Sequence, residues 1–281
     1  KNKIIIIIFP LLLYQSQLFS KSTSFDEISS KNLSNYFSGI VAFENKDNSI
    51  ALDFFRSSKI LINKHDKYLE RLIMTLILED KVAQAINIIK TQDKNFNFFE
   101  AYILLALDSL KRDDMDRAIE ILENVPETLQ IDRFRFIVLN SLRQYVDVFK
   151  NKKIQQNNQN FGNLSFINET FQRCYLDDKK TGTFFSQLIN KSEADYSRYI
   201  YFYLTYLIKK EKIKQAKEIT DELNYVNLTL LLSQGKSWIE KNQFKEFSKV
   251  FTCNDHNDII GEFLFLVSNL YSSQNKFEKS N

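Results

Sequence analysis

The residues best suited to chemistry are few and poorly spaced for it. The 281-residue chain holds two histidines and two cysteines. Asp255, His256 and Asp258 lie close enough to suggest a metal site, but such a site needs more ligands converging in space. The polar neighbours in "CNDHND", and in "NKHDK" around His65, fit solvated turns between helices better. Cys174 and Cys253 lack any C-x2-C partner spacing. They could pair in an oxidising compartment, yet nothing in the sequence joins them, and they read first as buried thiols packing as small hydrophobes. Glycines at 39, 162, 182, 235 and 261 are too scattered to cradle a phosphate. No G-x-S-x-G or H-E-x-x-H motif occurs, and Asp113–Asp114 and Asp177–Asp178 suit turns and helix caps. The expectation is a protein that is not an enzyme, with no cofactor, no metal and no small-molecule substrate.

The elements that must carry these residues are helical. Five glycines and two prolines are very few for this length, and sheet-rich folds need many tight turns that Gly and Pro supply. A 44% apolar and 26% charged composition belongs to a folded chain. The net charge of +3, with no basic stripe at helical spacing, does not fit a nucleic-acid binder. Five N-x-S/T matches, at Asn32, Asn163, Asn168, Asn190 and Asn227, are what an Asn-rich composition produces by chance.

Residues 1–20, "KNKIIIIIFPLLLYQSQLFS", run from a basic start through an apolar stretch, Ile4 to Tyr14, into a polar segment. That order is a secretory signal, with cleavage expected after Ser20. The apolar stretch is shorter than the roughly twenty residues that cross a bilayer, and Pro10 interrupts it. A retained N-terminal anchor and a buried strand are the competing readings.

From 21 to 126 a pattern repeats. Met115, Ala118, Ile119 and Leu122 share one face of a helix, as do Val82, Ala85, Ile86 and Ile89, and earlier Ala51, Leu52 and Phe55. The alanines 51, 85 and 118 are 34 and 33 residues apart. A small residue at this point lets two helices approach closely, and Gly39 plays the same part in the helix before Ala51. Residues 127–195 read as degenerate repeats holding two further units, with "RFRFIVLNSLRQYVDVF" as one first helix and a polar insertion at 151–160. In 196–281 the pattern returns at Ala216. "SRYIYFYLTYLIKK" is aromatic enough for a strand, but its place before Ala216 makes it a first helix. A helix pair then falls in 230–251, and a last unit begins at Gly261 with Ser280 in its alanine slot. An array ending in mid-unit leaves an apolar face open, which predicts a longer polypeptide.

A period near 34 residues with Ala-x3-large-apolar resembles the tetratricopeptide repeat (TPR). The stretch "YFSGIVAFENKDNSIALDFFRSS" and the closing "IIGEFLFLVSNLYSSQ" are similar to uncharacterised exported TPR proteins of alphaproteobacteria, over most of the chain. The resemblance implies an all-α, right-handed α-solenoid of stacked helical hairpins. It also implies a concave groove lined by first helices: Tyr36, Ile40 and Phe43, then Glu70, Met74 and Ile77, then Ile103 and Leu107, then Tyr201 and Thr205. Chaperone-binding members clamp a carboxylate with Lys, Arg and Asn on these helices. Tyr36, Ile40, Glu70 and Ile103 stand there instead, so chaperone tails are not expected. The functional expectation is an exported scaffold or adaptor that binds a protein or peptide in the bacterial periplasm. The alternatives are an inner-membrane-anchored assembly component, which would touch the membrane through its retained N-terminal segment, and the accessory repeat module of a longer enzyme.

Overall fold

The computed structural model describes residues 29–92, 96–154, 160–190, 197–223 and 229–278. The signal segment 1–20, residues 155–159 of the 151–160 insertion and Ser280 lie outside them. The described residues are all-α: α1 Ser30–Glu44, α2 Asn48–Ser57, α3 Asp66–Leu78, α4 Val82–Lys90, α5 Phe99–Lys111, α6 Met115–Glu123 and α7 Arg133–Asn151. There follow α8 Asn163–Tyr175, α9 Thr181–Ile189, α10 Ser197–Lys209, α11 Ile213–Asp221, α12 Leu230–Glu240, the single turn α13 Phe247–Val250, and α14 His256–Glu278. The aromatic 197–210 stretch is helical, because its rings find a packed core and burial overrides local strand preference. Two compact units divide after Ile88, within α4.

One turn is used again and again. Lys46, Asp80, Asp113, Asp177, Glu211 and Asn242 each follow the first helix of a pair, and each has positive φ, between 54° and 64°. The N–H of the next residue donates five residues back in every case: Asp47 to Ala42, Lys81 to Leu76, Asp114 to Ser109, Asp178 to Arg173, Lys212 to Leu207 and Gln243 to Trp238, at 2.7–3.0 Å. This is the Schellman closure, which satisfies carbonyls that a helix end leaves without partners. The left-handed residues are spaced by 34, 33, 64, 34 and 31 positions. Five residues beyond each lies Ala51, Ala85, Ala118, Gly182, Ala216 and finally Phe247.

In the first unit, Ala51, Phe55 and Ala85 are fully buried. A β-carbon on Gly39 would come within 2.8 Å of the Phe55 ring, so α1 and α2 meet where only glycine fits. Tyr68 donates its hydroxyl to the Phe55 carbonyl (2.5 Å) and meets that ring edge-on.

In the second unit, Ile89, Ala118, Leu122 and Ala216 are likewise buried. Between Asp113 and Asp177 there is one complete hairpin fewer than expected. α7 is a single 19-residue helix, and only α8–α9 pairs in the usual way. α7 and α8 are joined through buried polar groups: Tyr145 donates to Asn168 Oδ1 (3.1 Å), and Asn168 Nδ2 donates to Ser141 Oγ (3.1 Å). α12 also lacks a full second helix. The small slot there holds Phe247, whose ring stacks on Tyr201 (5.4 Å) and meets Trp238 edge-on (5.4 Å); a side chain that large keeps two helix axes apart, and the segment makes only a 3-10 turn and one α turn. No turn divides the last unit. "YSSQNK" has no Gly or Pro to break a helix, and α14 continues for 23 residues to Glu278.

Two chemistry-bearing groups depart from expectation. Cys174 and Cys253 are not separate thiols; they are disulfide-bonded, with Cα atoms 5.4 Å apart. His256 does not stand in a solvated turn. It opens α14, is buried against Phe149, and its Nε2 lies 2.9 Å from the Leu110 carbonyl. A contact 146 residues apart in sequence leaves no local signal.

Candidate interaction surfaces

The residues assigned to a groove divide between core and surface. In the first unit Tyr36 is buried among the rings of Phe55, His65 and Tyr68. Ile40, Phe43, Glu70, Met74 and Ile77 are half-buried. Phe43 lies under the Arg71 guanidinium, 5.0 Å from its ring centroid, and Glu70 pairs with Lys67 at 2.8 Å. In the second unit Ile103 and Leu107 are half-buried against the core. Tyr201 and Thr205 are core residues: Tyr201 packs against Gly235 and Phe247, and Thr205 donates to the Tyr201 carbonyl (3.0 Å). Burial withdraws both from any protein partner.

The most exposed apolar side chains of the first unit stand elsewhere. Phe37 and Val41 are 60% and 61% exposed, one turn apart on α1, and Ile50 on α2 is nearly half exposed. Phe37 and Val41 border an open depression of about 660 Å³ whose floor includes Ala42 and Phe54. Its polar border is Ser34, Ser38 and Asn45, and its single charge is Asp47. α1 folds this way because Gly39 and Ala42 turn one face onto α2, leaving i, i+4 neighbours on the other. The signal was present in "NYFSGIVAF": apolar residues surround the helix, more than one partner face requires.

Two cavities lined by described residues of the second unit bear on function. The larger, about 570 Å³, is bordered by Lys90, Arg112 and Arg117, but these cations are already neutralised. Asp108 pairs with Lys90 (2.6 Å) and Arg112 (2.8 Å), and Arg117 pairs with Glu120 (2.7 Å). The smaller, about 270 Å³, lies beside the disulfide and has mainly apolar walls. Among the described residues no group of three or more His, Cys, Asp or Glu converges as metal ligands. Among the same residues no helix is long and apolar enough to cross a membrane.

Comparison with family models, curated proteins and solved structures gives no match for this chain. The class defined by the described residues is therefore an all-α protein of recurring helical hairpins.

Proposed function

We propose that this protein is an exported, non-catalytic scaffold or adaptor of the bacterial cell envelope, a TPR-like α-solenoid that binds an apolar segment of another protein. The observation that carries this reading is the exposed Phe37–Val41 pair over Phe54. Neighbours one helical turn apart, beside a depression with a single charge, suit the apolar stripe of a partner helix. Affinity would come from desolvating those side chains, with the Ser and Asn rim giving orientation. Export is supported by the Cys174–Cys253 bond, since structural disulfides persist in oxidising compartments such as the periplasm.

A photo-crosslinking amino acid at position 37 or 41, used in intact cells, tests the surface. A discrete adduct is expected at both positions, lost when the other position is changed to Glu and absent from a probe at exposed Asp53 on α2. Equal labelling at position 53, or no adduct at 37 and 41, would remove the surface from consideration. The N-terminus of the mature chain tests export: a start at Lys21 fits the periplasm, and an intact Lys1–Ser20 segment fits an anchor.

A further inference from the structure

The smaller cavity of the second unit is built more firmly than a surface groove. Its walls come from the end of α8 (Cys174), the last turns of α10 (Thr205, Tyr206, Ile208 and Lys209), Phe244, Lys245, Phe247 and Ser248, and residues 251–253. The disulfide fastens the first of these segments to the last. Phe247 is held between Tyr201 and Trp238, and Phe251 packs on Phe202 (4.5 Å) and Phe171 (5.8 Å). Side chains locked by their own packing give a pre-formed site, so little ordering cost falls on a ligand.

Three observations bear on what enters. The lining includes two cations, Lys209 and Lys245, and no carboxylate. Lys209 already donates to the Asn254 side chain, and burial pushes its pKa down, so its ammonium is incompletely solvated. About 270 Å³ equals the share of roughly nine liquid waters. That excludes a long-chain lipid.

We propose that this cavity binds a small carboxylate with a compact apolar body of about eight to ten non-hydrogen atoms. The body seats among Phe244, Phe247 and Phe251, and the carboxylate turns to Lys209 and Lys245. The compound is bound and released, not transformed. The site does not depend on the scaffold role proposed above.

Trp238 is the single tryptophan of the chain and touches Phe247, so its fluorescence reads occupancy. The whole oxidised chain is titrated with octanoate, octanol and octylamine. Octanoate is expected to shift the emission saturably with Kd about 1 mM, octanol about fivefold more weakly, and octylamine without saturation. Joint replacement Lys209→Gln and Lys245→Gln, at the surface and away from the core, is expected to reduce octanoate to the affinity of octanol. Ser248→Phe, filling the mouth, is expected to abolish binding at unchanged helical content; if that variant loses helicity, the lysine pair decides. Octanol or octylamine binding as tightly as octanoate, unsaturable shifts for all three, or wild-type octanoate affinity without the lysines overturns the proposal.

Discussion

Two glycines with opposite requirements show what single positions contribute. At Gly39 an added β-carbon meets the Phe55 ring at 2.8 and 2.9 Å, and Phe55 is fully buried with no room to move. Gly39→Ala is expected to cost about 1–3 kcal/mol through overpacking. At Gly182 the same atom would sit 3.5 Å from the Tyr206 ring, an ordinary contact. Gly182→Ala is expected to gain about 0.5–1 kcal/mol, because glycine inside a helix costs backbone entropy. Urea unfolding followed by circular dichroism measures both, and equal effects of the same sign would refute the comparison. Gly182 occupies the slot of the alanines in its hairpin. It escaped sequence reading because that reading looked for alanine, whereas the physical requirement is only a small side chain.

At the scale of the elements, the hairpin turn explains both what the sequence revealed and what it hid. The alanine period was legible because close approach of two helices has one cheap solution. The turns were not, since the left-handed residue that normally announces itself as glycine is here Lys, Asp, Glu or Asn. Each such residue pays for a positive φ that glycine adopts freely. Glu211 is exposed at φ 58°, and Glu211→Gly is expected to raise stability by about 0.5–1 kcal/mol. A loss of stability in the same urea titration would mean that the Glu211 side chain holds the turn. The irregular elements were hidden for another reason. α7 stands without a second helix, and α14 has no break; both depend on partners far away, such as Asn168 for α7, and Arg198 for α14, whose guanidinium forks onto Glu262 at 2.8 and 2.6 Å. The exposed Phe37–Val41 pair was overlooked for the same cause: periodicity shows that α1 is apolar all round, but not which side finds a neighbour.

For the molecule as a whole, the disulfide is the covalent constraint inside the second unit, closing 79 residues of sequence. In the chain-entropy account a closure of this length stabilises by about 4 kcal/mol. Reduction is expected to lower the urea midpoint of the wild-type chain accordingly, and to leave a Cys174→Ala, Cys253→Ala double variant unmoved. A reduced wild type that unfolds at the oxidised midpoint would show that hairpin packing alone sets the stability. The bond also sorts the polypeptide by how it would carry tension. Pulled from its two ends, the oxidised chain passes force across the sulfur bridge and leaves everything between residues 174 and 253 slack. About 270 Å of contour, at about 3.4 Å per residue, is thereby withheld from extension. The α10–α11 hairpin, together with α9, α12 and α13, is thus sheltered from a mechanical load that the segments on either side must bear.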